Sequence, residues 1–166
     1  SSDLSLDGQK AYIATAEVTD EEMARRVSAH KKRRPADWIT AEVPRHLPDA
    51  LPQLFIKADV ILIDCLTVYV ATLLYDYREC LPRVIEDRAG EEMREILRLL
   101  RQSGKSVILV TNEVGSGIVP PDAVSRLFRD VAGRVNRLAA AEADEVYLSV
   151  SGLAVEIKSR AVTKGE

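Results

Sequence analysis

The sequence predicts an α/β protein with a mostly parallel sheet and helices on both of its faces. Four short runs rich in apolar and β-branched residues are spread along the chain, at 11–14, 60–63, 107–110 and 146–150. Three of these runs are almost continuously apolar, which is typical of strands buried on both faces of a parallel sheet. Segments with helical periodicity lie between the runs. This alternation of strands and helices favours a layered α/β architecture.

Individual patterns assign the elements in the second half of the chain. An apolar stripe predicts a helix over 91–102, and Gly104 stands where a glycine commonly ends a helix. A longer stripe between Val124 and Leu138 predicts another helix. After the run that ends at residue 150, a Ser-Gly turn and the segment 155–158 predict an antiparallel strand at the edge of the sheet.

Size and charge exclude several classes of protein. The 166 residues fit a single domain spanning 1–166, and 23 basic against 26 acidic side chains give a net charge of -3. This balance argues against a disordered tail and against a general nucleic-acid binder. No apolar stretch approaches the roughly 20 residues of a membrane span, and no export leader opens the sequence. Cys65 and Cys80 form no disulfide framework. We therefore expect a cytoplasmic protein.

One predicted helix carries a histidine beside a run of cations. The capping box 19–22 begins this helix and Pro35 ends it, and His30 is followed directly by the four cations 31–34. The commoner interpretation of such a string is a solvated basic turn at the carboxyl end of a helix dipole. The alternative is that the cations hold a polyphosphate while the imidazole, whose reference pKa is about 6.5, attacks the α-phosphate. That attack would expel pyrophosphate and leave a nucleotidyl-histidine.

A second candidate is the acid at a strand end. Four apolar residues, 60–63, are followed by Asp64, which is the shape of a Walker B element whose carboxylate organises Mg²⁺ beside bound phosphates. Alone the signal is weak, because many α/β strands end in aspartate. The phosphate loop that would accompany it is not found, since the Gly-Lys-Ser at 104–106 precedes a strand and Leu99 occupies the position that needs a glycine.

Six segments, in order and at fitting spacing between Tyr12 and Lys158, together resemble one family. They are Tyr12–Ala16; Asp20–Met23 with Arg26; His30–Pro35 with Trp38, Thr40 and Glu42; Leu62–Thr67; Val110–Gly115 with Gly117–Pro120; and Arg129–Asp130 with Gly133 and Asn136. The set is similar to the bifunctional adenosylcobinamide kinase / adenosylcobinamide-phosphate guanylyltransferase family of cobalamin biosynthesis. The resemblance implies a P-loop NTPase fold of the RecA-like type.

The resemblance also implies a site and a chemistry. His30 falls on the guanylylated histidine of the family, and Asp64 on an acid of the GTP site that we expect to hold Mg²⁺. The implied nucleotide-binding residues are Ala14, Thr15, Ala16, Lys31, Lys32, Arg33, Arg34, Glu42 and Asp64. The implied reactions are phosphorylation of adenosylcobinamide by ATP or GTP, then transfer of GMP from GTP to adenosylcobinamide phosphate. Family members form homo-oligomers, commonly trimers, and Trp38 and Gly133 are candidate contact points.

The sequence departs from the family pattern in three places. The family begins with a strand and a phosphate loop, about 20 residues that we expect to precede Ser1 in the full-length protein. Loss of that strand is the other interpretation, but it would leave backbone groups of neighbouring strands unpaired. Thr72 and Arg137 replace residues that are usually Asn and Gln. The alternative function is a non-catalytic nucleotide-binding or scaffolding domain, although a mere binder has no need of an imidazole among four cations.

Overall fold

The computed structural model describes the backbone of residues 7–18, 21–33 and 35–162, and their side chains except at 23, 26, 29, 30, 32 and 33. Strands and helices alternate through most of this length. In chain order they are β1 (Lys10–Ala14), α1 (Glu21–Arg33), β2 (Ile39–Glu42), α2 (Leu47–Lys57), β3 (Val60–Asp64), α3 (Leu66–Asp76), α4 (Pro82–Ser103), β4 (Ser106–Val110), α5 (Ala123–Glu142), β5 (Tyr147–Val150) and β6 (Leu153–Glu156).

The main sheet has four parallel strands in the order β2-β1-β3-β4. Its register aligns the last residue of each strand: Ala14 lies opposite Glu42 on one side and opposite Asp64 on the other, and Asp64 lies opposite Val110. The predicted parallel α/β architecture is confirmed. All four carboxyl ends therefore form one edge, which is where open α/β sheets bind ligands.

One face of this sheet packs against α2, α3, α4 and α5. Ile13, Ile61 and Ile63 on that face are fully buried, and complete burial of such a side chain contributes about 1.5–3 kcal/mol to folding. The helices supply the rest of the core, which includes Leu47, Leu51, Leu66, Tyr69, Met93, Ile96, Val131 and Val135. Because side chains alternate along a strand, residues such as Tyr12 and Asp64 lie on the opposite face.

Helix α1 meets that opposite face. Its Lys31 contacts Glu42, whose strand position aligns it with Ala14 and Asp64. The placement agrees with right-handed crossovers, because the chain moves across the sheet in one direction from β1 to β2 and in the other from β2 to β3. Helices α2 to α5 thus cover one face, and the Lys31–Glu42 contact links α1 to the other face. Among the described helices, none combines the length and apolar character needed to span a bilayer.

The C-terminal hairpin corrects one sequence-based prediction. The antiparallel pairing of β5 with β6 is confirmed, with the turn at Ser151 and Gly152 in left-handed conformations of φ 53° and 80°. Within the described part of the chain, however, the pair forms its own two-stranded sheet instead of an edge of the main one. All four positions of β5 are exposed, and the prediction that this run joins the main sheet was wrong. Burial on both faces, predicted for the run 107–110, was also wrong, because Ile108 and Val110 of β4 are exposed while residues 107 and 109 are partly buried. Local turn chemistry determines the hairpin, whereas attachment to the sheet depends on tertiary contacts.

Other differences concern element lengths. Helix α4 begins at Pro82, well before the predicted residue 91, with the proline in its first turn where no N–H is required. Gly104 ends it in a left-handed conformation, φ 64°, as predicted. The short strand β2 was not predicted, nor was α2, whose pattern is interrupted by Pro48 and Pro52.

Candidate nucleotide site at the carboxyl edge of the sheet

Three strands bring predicted site residues together at the carboxyl edge. Ala14 ends β1 between Glu42 and Asp64, which end the two flanking strands. Glu42 is about half exposed at 52% of its side chain, whereas Asp64 is partly buried. Parallel pairing alone is sufficient to group these residues, since it aligns strand ends of the same polarity. The edge therefore presents two carboxylates that flank the last residue of β1.

Thr15 joins the turns that follow β1 and β3. It is completely buried; its hydroxyl donates to the carbonyl oxygen of Cys65 at 2.7 Å and accepts the Cys65 N–H at 2.8 Å. Its own N–H donates to the carbonyl oxygen of Asp64 at 3.2 Å. The structure thus engages the Thr15 side chain with the backbone after β3. Its direct contribution is to hold that backbone in place at the carboxyl edge.

Asp64 receives a hydrogen bond from β1 as well. The phenol of Tyr12, a residue only 8% exposed, donates to Oδ2 of Asp64. A carboxylate has a second oxygen that can accept hydrogen bonds or ligate a cation. Tyr12 of the neighbouring strand therefore engages one oxygen of Asp64, and the other oxygen is left to accept a ligand at the carboxyl edge of the sheet.

The donor set at this edge fits Mg²⁺ that arrives with a nucleotide. Among the described residues, no cluster of three or more His, Cys, Asp or Glu side chains is arranged as a metal cage. Mg²⁺ is commonly held by one or two carboxylates together with substrate phosphates and waters, so a complete protein cage is not required. Asp64 supplies one such carboxylate. The remaining ligands would then come from phosphate oxygens and water.

The cationic end of α1 reaches the same edge. His30, Lys31, Lys32 and Arg33 form the last turn of the helix, and the ammonium of Lys31 pairs with Oε1 of Glu42. The side chains of His30, Lys32 and Arg33, and the whole of Arg34, lie outside the described residues. Both partners of the Lys31–Glu42 pair are about half exposed, and exposed ion pairs contribute only about 0–1 kcal/mol. A phosphate group can therefore replace Glu42 as the partner of Lys31 at small cost.

A ring of polar side chains lies beside Asp64, formed by residues that the family motifs include but whose mutual contacts the sequence did not predict. Thr111 donates to Oδ1 of Asn136 at 2.6 Å, and the Thr67 and Thr111 hydroxyl oxygens are 3.2 Å apart. The N–H of Asn112 donates to the Thr67 hydroxyl at 2.7 Å, and the Asn136 amide donates to the Asn112 carbonyl at 3.0 Å. Because Thr111 uses its only hydrogen on Asn136, the Thr67 hydroxyl is the donor within this pair, and Oδ1 of Asn112, 3.5 Å away, is its other available acceptor. The ring ties the first turn of α3 and the loop after β4 to α5.

An ion-pair cluster holds the segment that leads into α1. Arg45 contacts Glu17 at 2.8 Å and Asp76 at 2.7 Å, and both carboxylates, Asp76 more strongly, raise the pKa of Arg45 above its ordinary value. Glu17 follows β1, Arg45 follows β2 and Asp76 ends α3. The cluster thus connects the loop between β1 and α1 and the loop between β2 and α2 to the end of α3.

Comparison with known proteins gives consistent findings over most of the chain. The family model described as CobU, cobinamide kinase / cobinamide phosphate guanyltransferase, matches residues 3–157. The bifunctional adenosylcobalamin biosynthesis protein CobU of Salmonella typhimurium is 44% identical over 156 residues, covering 90% of this chain and 86% of the relative. CobU of Escherichia coli is 40% identical with the same coverage. The bifunctional protein CobP of Pseudomonas aeruginosa is 35% identical over 150 residues, covering 89% and 82%.

Proposed function

Because the chain belongs to the CobU family of cobinamide kinases / cobinamide phosphate guanyltransferases, we propose that it catalyses two reactions of cobalamin biosynthesis. In the first, the hydroxyl of adenosylcobinamide accepts the terminal phosphoryl group of ATP or GTP. In the second, GMP passes from GTP through His30 to adenosylcobinamide phosphate and forms adenosylcobinamide-GDP. Relatives named as bifunctional adenosylcobalamin biosynthesis proteins support the assignment at the level of the family.

The guanylyl transfer proceeds in two nucleophilic displacements at the α-phosphorus. A ring nitrogen of His30 attacks the α-phosphorus of GTP, so that a P–N bond forms and the bond to the bridging oxygen breaks with release of pyrophosphate. A phosphate oxygen of the second substrate then attacks the same phosphorus. The P–N bond breaks, a diphosphate forms and the imidazole is restored. Each step is an in-line displacement that needs charge neutralisation at the phosphates.

The observation that carries this proposal is the contact between Lys31 and Glu42. This contact brings Lys31, the residue next to His30, to the carboxyl edge of the sheet. Glu42 ends β2 there, and Asp64 ends β3, with β1 between the two strands. In the proposed complex Lys31, Lys32, Arg33 and Arg34 hold the triphosphate, and Glu42 accepts hydrogen bonds from ribose hydroxyls or guanine N–H groups. Asp64 ligates Mg²⁺, which neutralises phosphate charge when bound. Ala14 and Ala16 line the site through their backbone beside Thr15.

We further propose that this single domain has the RecA-like P-loop fold of the family it belongs to. One observation supports this: within the described residues β4 pairs only with β3, so the other edge of β4 can accept a further parallel strand. Assembly into a homo-oligomer of the trimeric kind that the family resemblance implies, and a cytoplasmic location, stay predictions. A Cβ placed on Gly133 would meet no atom within 4 Å, so close packing among the described residues does not account for this glycine. Light scattering on the full-length protein measures the subunit number.

The transferase claim is tested by labelling. The full-length protein is incubated with α-³²P-labelled GTP and Mg²⁺ and run on a denaturing gel; label that is labile in acid and stable in alkali identifies a phosphoramidate. The variant His30→Asn should carry no label. His46→Asn is the matched control, because His46 has a left-handed backbone of φ 52° that asparagine tolerates, and it should label normally. Undiminished labelling of His30→Asn overturns the proposal, and GTP binding without any label in the parent protein favours the non-catalytic alternative.

A further inference from the structure

Residues of β1 and of the turn after it hold Asp64 in place in two ways. The first fixes the backbone: the Thr15 N–H donates to the Asp64 carbonyl, and the Thr15 hydroxyl engages both backbone groups of Cys65. The second fixes the side chain, since the phenol of Tyr12 donates to Oδ2 of Asp64. Tyr12 and Thr15 both belong to the strand and turn that lie directly beside β3. The position of Asp64 thus depends on its neighbouring strand as much as on its own.

The hydrogen bond from Tyr12 restricts the rotation of the Asp64 side chain, which the backbone contacts leave free. An aspartate at a strand end can rotate about its two side-chain torsions, and the terminal one has a broad distribution. A donor on a rigid, almost fully buried ring selects one orientation at low entropic cost, and a hydrogen bond to a charged carboxylate is stronger than one between neutral groups. With Oδ2 engaged by the phenol, Oδ1 is the oxygen placed for a ligand.

We propose that Tyr12 is a positioning residue, which holds the Asp64 carboxylate in the orientation that ligates the Mg²⁺ of a bound nucleotide complex. The inference rests on the proposed function, because it requires Asp64 to be that ligand. Tyr12 itself contacts neither the metal nor the nucleotide. It acts as the hydrogen-bonded partners of metal-ligating carboxylates commonly do, whose removal lowers metal affinity by about 10–100-fold.

Tyr69 provides a matched control in the same chain. It is 5% exposed, its phenol donates to the carboxylate of Glu92, and its oxygen accepts the N–H of Leu47. Burial, together with Glu92, raises the pKa of Tyr69 above its ordinary value, and a phenol is a hydrogen-bond donor at neutral pH even with its ordinary pKa of about 10. This second buried phenol–carboxylate pair lies in the helical layer. Removal of its hydroxyl perturbs the core without touching Asp64.

The experiment measures Mn²⁺ as a spectroscopic substitute for Mg²⁺, without turnover. The full-length protein is saturated with the α,β-methylene analogue of GTP, whose carbon bridge prevents guanylylation, and free Mn²⁺ is followed by electron paramagnetic resonance. Tyr12→Phe keeps the buried ring and should raise the dissociation constant of Mn²⁺ by about 10-fold. Tyr69→Phe should change the dissociation constant of Mn²⁺ by no more than about twofold, although the melting temperature of this variant falls. In an Asp64→Asn background, Tyr12→Phe should have no further effect.

The outcomes separate this inference from the proposed function. If Asp64→Asn weakens Mn²⁺ binding and Tyr12→Phe does not, the positioning role of Tyr12 is wrong and the proposed function stands. Equal weakening in Tyr12→Phe and Tyr69→Phe also overturns the role, because it indicates a general loosening of the protein. If Asp64→Asn binds Mn²⁺ as well as the parent protein, the metal assignment of the proposed function fails and the inference fails with it.

Discussion

Replacement of Thr15 by valine should show how strongly the carboxyl edge depends on one buried hydroxyl. Valine has nearly the same shape, so the change removes two hydrogen bonds, the donation to the Cys65 carbonyl at 2.7 Å and the acceptance of its N–H at 2.8 Å. Each bond contributes about 1 kcal/mol net, and partly buried backbone groups left without partners add a desolvation penalty. Because Thr15 is completely buried, we expect the free energy of unfolding to fall by about 2–4 kcal/mol.

Urea unfolding of the parent protein, Thr15→Val and Thr15→Ser measures this loss. Serine keeps the hydroxyl and removes only a methyl group, so it should cost about 1 kcal/mol. The midpoint should shift with little change in slope, since the same surface is exposed on unfolding. A valine variant that is as stable as the parent, or more stable than the serine variant, would refute the reasoning. It would mean that water replaces the hydroxyl as the partner of the Cys65 backbone.

Two further predictions concern the ring beside Asp64 and the C-terminal hairpin. Asn136→Ala should lower the free energy of unfolding by about 1–2 kcal/mol and speed hydrogen exchange at the Asn112 amide; unchanged exchange would show that the ring does not hold this loop. Ser159 and nearby backbone N–H groups lower the pKa of Glu156 to about 2. Because the pKa of Glu156 is lower in the folded than in the unfolded protein, its ionised carboxylate stabilises the fold at pH values above the unfolded pKa. This stabilisation is lost as the pH falls towards 2 and the carboxylate becomes protonated. The melting temperatures of parent and Glu156→Gln should therefore converge between about pH 5 and 2, and a constant gap would contradict this.

Several elements were predictable because their signals are local. The runs at 60–63 and 107–110 became the apolar stretches of β3 and β4, and Gly104 ends α4 in the left-handed conformation expected of a glycine there. Strand β2 was missed because four residues with mixed polarity produce little periodic signal. The first turns of α4 were missed because Pro82 opens the helix far ahead of the apolar stripe that identified it.

The candidate site was predictable as a set of residues, but its contacts were not. Polar residues at strand ends and the family motifs brought His30, Glu42 and Asp64 to attention. They did not indicate that Glu42 pairs with Lys31, that the Thr15 hydroxyl is occupied by backbone groups, or that Tyr12 donates to Asp64. These contacts depend on strand order and register, which residue types alone do not specify when both faces of a sheet are partly apolar.

By itself, the sequence determined the alternation of strands and helices, the apolar positions of the core and the family to which the chain belongs. Only the tertiary structure decided which strands are neighbours and which side chains meet. Tyr12 and Asp64 are 52 residues apart, and Thr15 and Cys65 are 50 apart. Propensities, caps and turns act over a few residues, whereas such distant pairs form only when β1 and β3 align in one register. Closing such long loops has an entropic cost, which is offset by burial of the whole core and not by any single contact.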